Sequence, residues 1–249
     1  MATGKTNMVY CRTYFDEVDL SGDARSIAGF GREFDEVDAT GFSSSISYYT
    51  LGQQRTIFDG YQALFNNTAL LGAFTELKTK EEYFVSLHLG IRAAPAVGDP
   101  AWGARLNQAS MNMDGSDALL LSIIANPGAG APATDAPLDK NWGHVLAPLA
   151  SRDATYTGAS INNGASSSAG AYAILHVTSV DAGGAWTLIT QHSADDTNWA
   201  TLHTFTANAQ TLAGELQTTS STVNQYTRAL LTDTGLGSGW SGCVTFIRR

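Results

Sequence analysis

Carboxylates are the side chains of this sequence most densely placed for chemistry. The pentapeptide Phe-Asp-Glu-Val-Asp occurs twice, at Phe15 to Asp19 and at Phe34 to Asp38, and supplies Asp16, Glu17, Asp19, Asp35, Glu36 and Asp38. Two such clusters are a donor set for a divalent cation, or for the paired carboxylates of a glycoside hydrolase. Their flanks point elsewhere. Each copy is followed by a small hydroxylated turn, Leu20-Ser21-Gly22 in one case and Ala39-Thr40-Gly41 in the other. Strand, acid-rich edge and turn therefore recur together, and the expectation is two hairpin ends rather than two halves of a catalytic pair.

Other reactive residues give less. Gly4-Lys5-Thr6 imitates the end of a phosphate-binding loop but lacks the earlier glycine and the strand leading in. The run GLGSGWSG at Gly235 to Gly242 precedes a terminal strand and no helix, so a flexible loop is expected there. The five histidines (His88, His144, His176, His192, His203) lie mostly on expected strands without metal spacing, and His192 and His203 read as neighbours across a hairpin. No GxSxG elbow and no HExxH occurs. The SADDTNW stretch at Ser193 to Trp199 reads as a turn rather than a calcium loop. Trp186 and Trp199 flank one expected hairpin, where they serve either as core anchors or as a stacking platform for sugars. No catalytic residue, cofactor or metal site is expected.

Whatever positions these residues is built from strands. The chain has 249 residues, 43% of them hydrophobic, enough for a sizeable core in one large or two modest domains. Glycine is abundant at 25 residues and lysine is confined to Lys5, Lys78, Lys80 and Lys140, a mixture suited to short strands and turns. With 14 basic and 23 acidic side chains the net charge is −9, which repels a phosphate backbone and argues against sequence-specific nucleic-acid binding. Cys11 and Cys243 stand near opposite ends and read as free packed thiols. No stretch approaches the ~18 consecutive apolar residues of a membrane span, and MATGKTNMVY lacks a signal peptide's apolar segment, so a soluble product of the cytoplasm is expected.

Strands are expected at NMVYCRTYF, at SSSISYYTL where Ile46 and Tyr48 share a face, at Tyr83 to Leu89, and on both sides of the Asp114-Gly115 turn. Tyr61, Leu64, Phe65, Thr68 and Leu71 follow helical spacing behind an Asp59/Gln62 capping pattern, which predicts a helix near 60–74; the same RTIFDGYQALF segment also reads as a strand broken by a glycine. NPGAGAPATDAP, from Asn126 to Pro137, marks a linker. Beyond it AYAILHVTSV, AWTLITQHS, WATLHTFTA, VNQYTRALL and GCVTFIRR alternate with turns in the pattern of a β-sandwich. The fold class expected is mainly β: two β-sandwich units, at 1–137 and 138–249, with one flanking α-helix.

Three segments carry a resemblance. VDLSGDARSI (Val18 to Ile27), DATGFSSSISYYTLGQQRTIFDGY (Asp38 to Tyr61), and GAWTLITQHSADDTNWATLHTFTA followed by VNQYTRALL resemble the major tail tube proteins of long-tailed, siphovirus-like bacteriophages. They span about half the chain. The resemblance implies a structural virion protein of the tail that is not an enzyme. Its inner strands would close into a ring-shaped oligomeric β-barrel, with rings stacked into a tube through which double-stranded DNA passes without sequence recognition. It implies partnership with copies of itself, as a ring of six one-domain or three two-domain subunits, and with other tail proteins at the tube ends. The second unit would be tube-like or an outer decoration. Asp16, Glu17, Asp19, Asp35, Glu36 and Asp38 would then include acids of a subunit junction or of the lumen, where negative charge keeps DNA mobile. The competing expectation is a β-sandwich carbohydrate-binding or adhesin module built on Trp186 and Trp199.

Overall fold

The computed structural model describes residues 8–38, 49–68, 72–91, 93–114, 120–127, 141–181, 185–207, 211–234 and 239–249. A 3-10 turn at Met8–Tyr10 opens into β1 (Cys11–Phe15), β2 (Val18–Asp19), β3 (Ala24–Ser26), β4 (Gly29–Asp38) and β5 (Tyr49–Leu64). A short helix α1 (Ala73–Leu77) then precedes β6 (Glu82–Leu89), β7 (Pro100–Asp114) and β8 (Leu120–Pro127). The second half holds β9 (Trp142–Arg152), β10 (Tyr156–Thr157), β11 (Ile161–Asn162), β12 (Ala171–Val180), β13 (Trp186–Ser193), β14 (Ala200–Thr204), β15 (Ala213–Thr219), β16 (Tyr226–Asp233) and β17 (Trp240–Arg248).

The strands form a twelve-stranded sheet and a five-stranded sheet, and neither closes into a barrel among the described residues. The larger sheet runs β15-β12-β17-β9-β7-β6-β1-β2, with a branch through β8 and β5 to β3 and β4. The branch exists because β7 is long. Its first residues, Pro100 to Trp102, pair with β9, while Leu106 to Asp114 pair with β8. The smaller sheet runs β10-β16-β13-β14, with β11 also on β16.

Each half encloses its own apolar core. In the first, Phe58, Tyr61 and Ala63 of β5 fold over Phe15 of β1, Tyr83, Val85 and Leu87 of β6, and Trp102 of β7. Phe15 lies 5.1 Å from Tyr61 and 5.2 Å from Tyr83, and Phe58 stacks on Trp102 at 5.8 Å. In the second, Ala173, Leu175, Val244 and Phe246 of the large sheet pack against Leu188, Ala229 and Leu231 of the small one, which makes a sandwich. Residues 128–137 of the expected linker lie outside the described residues, and the large sheet continues through both halves where β7 meets β9.

Strands covered on both faces lose the alternation of a half-buried strand. All of Ala171 to Val177 in β12 is buried for this reason, the odd residues facing the second core and Tyr172, Ile174 and His176 facing back toward β6 and β7. Gly103 permits that approach. A Cβ there would stand 2.9 Å from Ile174 Cδ1 and 3.2 Å from Ile247 Cδ1.

The helix expected near 60–74 is not formed as such. Residues through Leu64 continue β5, and helix occupies only Ala73–Leu77. Tyr61 and Ala63 are buried while Leu64 is exposed, the period of two that a strand against one core requires. Gly60 adopts φ +60° with Ala28 beneath it, which breaks the register between Phe58 and Tyr61. Gln62 accepts a hydrogen bond from Ser26 Oγ at 2.9 Å instead of capping a helix. Asp23 takes the capping role: Oδ2 accepts from Ala73 N at 3.4 Å and from Asn66 Nδ2 at 3.1 Å.

The strands expected on both sides of Asp114-Gly115 form and pair antiparallel, Asp114 opposite Leu120, with Gly115 itself outside the described residues; the strands at Tyr83 to Leu89 and those expected in the second half form as well. Gly4-Lys5-Thr6, most of the SSSISYY strand and Gly235 to Ser238 lie outside the described residues.

Candidate functional site

The two FDEVD copies take different structures. In the first, Phe15 ends β1, Asp16 and Glu17 form a two-residue turn, and Val18 begins β2 opposite Phe15. Asp16 sits at φ +47°, a left-handed conformation that aspartate tolerates better than most residues. The turn docks on β6: Asp16 N donates to Phe84 O at 2.9 Å, and Asp16 Oδ1 accepts from Phe84 N at 2.7 Å. Lys80 Nζ lies 3.0 Å from Asp16 Oδ2 and 2.8 Å from Glu17 Oε1. Beneath it, Gly214 of β15 leaves room for the turn, since a Cβ there would stand 2.5 Å from Asp16 Cα.

One ammonium thus serves two carboxylates, and one negative charge remains in excess. Burial raises the Asp16 carboxyl, against the opposing pull of Lys80 and the Phe84 amide. For Lys80 burial works downward, but Asp16 and Glu17 outweigh it and hold the ammonium charged. Asp19 is engaged too: its Oδ1 accepts from Ser21 N at 2.9 Å and from Ser21 Oγ, while Ser21 Oγ accepts from Thr13 N at 2.9 Å. All three acids of this copy are tied into the chain's own turn.

The second copy stands, as expected, at the end of a hairpin, but of a longer one without a tight turn inside the pentapeptide. Phe34 to Asp38 continue β4, paired with β5 from Gly29↔Asp59 to Asp38↔Tyr49. The register shifts between Phe34 and Glu36, so Asp35 stands at a bulge. The side chains of Asp35, Glu36 and Asp38 lie outside the described residues, as do Ala39, Thr40 and Gly41. In the first copy Phe84 and Lys80 meet the centre of the pentapeptide, and the chain turns there.

Between the two cores lies a polar seam with no local signature in the sequence. His176 Nδ1 donates to Asp16 O at 2.6 Å, which leaves Nε2 to accept from Ser86 Oγ at 2.8 Å. His88 Nε2 is 2.7 Å from Thr245 Oγ1, and its Nδ1 has no hydrogen-bond partner among the described residues. The Tyr14 ring lies 4.9 Å from His88 and 5.6 Å from His176. Burial pushes His88 down to about 3 and His176 down to about 4, the latter against the contrary effects of Asp16 O and Glu17. Neutral, fully buried imidazoles joining two packed layers hold structure.

The remaining candidates separate. Trp186 is buried and packs edge-on to Trp240 at 5.8 Å. Trp199 lies beyond the far end of β13, about 25 Å away at ~3.3 Å per residue, and the Arg228 guanidinium covers its ring at 4.0 Å. They do not form one platform. His203 faces Thr190, with Nδ1 2.8 Å from Thr190 Oγ1, and His192 Nδ1 accepts from Asn224 N at 3.1 Å, so each is engaged in the protein. The turn expected at Ser193 to Trp199 is present. Asp195 Oδ1 accepts from Asn198 N at 2.7 Å and Thr197 N at 3.0 Å, and these donors hold its carboxyl below the usual range. Among the described residues no group of three or more His, Cys, Asp or Glu side chains could hold a metal ion. Cys11 and Cys243 are free and buried. No helix among the described residues is long and apolar enough to cross a membrane.

No protein-family model matches the chain, and no curated protein matches it. Among solved structures it is similar to the SPP1 Dit (gp 19.1) protein, described as a paradigm of the hub adsorption apparatus in phages that infect Gram-positive bacteria. The two are 9% identical with a TM-score of 0.29, over 95% of this chain and 98% of that one. Similarity at that level carries no argument about fold or role. The fold stands on its own geometry.

Proposed function

We propose that this chain is a structural, self-assembling protein of a phage tail that forms rings stacked into a tube. The tail assignment rests on the sequence resemblance of Val18 to Ile27, Asp38 to Tyr61 and the β13, β14 and β16 segments to tail tube proteins. The assembly reading is carried by one observation: β4, ten residues long, is an end strand of the large sheet among the described residues. A long end strand presents unpaired backbone groups, which are either guarded by charge or joined to another sheet, and closure into a ring removes the edge. β4 carries the second acidic pentapeptide, so charge guards the free subunit while sheet extension satisfies the backbone in the ring.

In this reading the chain works in the virion, partners copies of itself and other tail proteins, and performs no catalysis. Its net charge of −9 suits a conduit that DNA must slide along without sticking. Electron microscopy of concentrated purified protein tests it: hollow stacked rings are expected, and compact monomers alone at every concentration would overturn it.

A further inference from the structure

We propose that the groove formed by the start of β9, the β11 segment and the end of β17 binds an anionic saccharide. It is an open recess of about 340 Å³ whose lining includes Trp142, His144, Asn162, Asn163 and Arg248, near the lower end of the roughly 300–1,000 Å³ of small-molecule sites. One or two sugar rings fit that space. Nothing in this inference depends on ring formation.

The chemistry of the lining selects the ligand. Trp142 is a large aromatic left 38% exposed, braced by Phe30 at 5.6 Å, so its indole stands ready to stack on the apolar face of a sugar ring. Asn162 is oriented by the protein: its Oδ1 accepts from Gly164 N at 2.8 Å and from Gln225 Nε2 at 2.9 Å, so what this lining residue can offer a ligand is its amide NH2, a donor. Asn163 Nδ2 donates to Gln225 O at 3.0 Å and Thr227 Oγ1 at 3.2 Å and holds this loop against β16. His144 Nδ1 donates to Gly98 O at 3.2 Å, leaving Nε2 as an acceptor for a hydroxyl.

Arg248 decides the charge. Its guanidinium is fixed by Asn163 O at 3.3 Å and by Ala165 O, with further N–H groups left over for a ligand. Among the described residues no carboxylate lines the groove, although the chain as a whole carries −9. A stacking aromatic, an amide donor, an imidazole acceptor and a lone guanidinium are complementary to a sugar bearing a carboxylate or phosphate.

Calorimetric titration of the full chain tests this with four probes: trigalacturonate, glucose 6-phosphate, neutral maltotriose and inorganic phosphate. Binding of one or both acidic sugars is expected, at least about tenfold tighter than maltotriose, a difference equivalent to one good charged contact. Trp142→Ala should weaken that binding about tenfold, and Arg248→Gln should erase the preference for the acidic sugar over maltotriose. Thermal melts matching the parent chain keep both variants interpretable, and Trp142→Phe, which retains a ring, should restore part of the affinity. Carboxylate and phosphate sources are separated by which acidic probe binds. The proposal falls if neither acidic sugar binds at about 10 mM, if both variants bind as the parent does, or if inorganic phosphate binds as tightly as the sugars and independently of Trp142.

Discussion

In the first FDEVD copy a tight turn is anchored from three directions, by the Phe84 backbone, the Lys80 ammonium and the His176 ring, with Gly214 clearing space beneath. In the second, the same five residues run on as extended strand at the end of a sheet. The comparison separates two uses of acidic sequence. Where a lysine and backbone donors converge, the carboxylates become part of the internal structure and are not free to meet a partner. Where the chain is an end strand, the acids lie along a sheet edge, the one the assembly proposal would join to another subunit.

The contrast can be broken at several points. The largest effect belongs to Phe15, the apolar residue that anchors the first copy in the core. Phe15→Ala should cost about 3–5 kcal/mol in urea unfolding, as large core truncations do. Gly214→Val comes next: the added side chain meets the Asp16 backbone, which cannot swing away as a side-chain tip would, and a loss of about 3 kcal/mol is expected.

Acid should act on the same region. His88 and His176 are held neutral in the fold, at about 3 and about 4, while in the unfolded chain they titrate near their ordinary value. Between those values the unfolded state binds protons that the folded state does not. Stability is therefore full above about pH 6.5 and falls as pH drops, at about 1.4 kcal/mol per pH unit per histidine. By pH 5 each should have cost about 2 kcal/mol. The raised Asp16 carboxyl works in the opposite direction and offsets part of the loss. A His176→Gln chain should show a flatter acid limb in melting curves taken from pH 7 to pH 5.

Lys80→Ala should cost about 1–2 kcal/mol at pH 7, because it leaves two largely covered carboxylates without their cation. The cost should shrink in acid as Asp16 takes up a proton. Smallest of all is the effect expected on the second copy. Under the assembly proposal, Asp35→Lys with Glu36→Lys should move the stability of the isolated subunit by no more than about 0.5 kcal/mol.

Much of the β architecture was legible because local signals and tertiary demands agreed. The strands flanking Asp114, the alternation of Tyr83, Val85 and Leu87, and the turn at Ser193 to Trp199 are each specified by nearby residues. The segment around Tyr61 was not, since its apolar spacing suits a helix or a strand. Packing of Tyr61 and Ala63 beside Phe15 decides for the strand, and Phe15 is remote in sequence. The seam was hidden for the same reason. Nothing near His176 announces Asp16 or Ser86 as its partners, and nothing near Asp16 announces Lys80. Trp142 carried no signal either, because exposure of a tryptophan is set by which strands flank it.

The direct test of the division between the two copies is ring formation by the Asp35→Lys, Glu36→Lys chain beside the parent, followed by mass photometry and electron microscopy at matched concentration. The account predicts rings from the parent, and a subunit of unchanged melting temperature that no longer forms them from the variant. Rings from both in equal yield would contradict it, as would a parent chain that stays monomeric throughout.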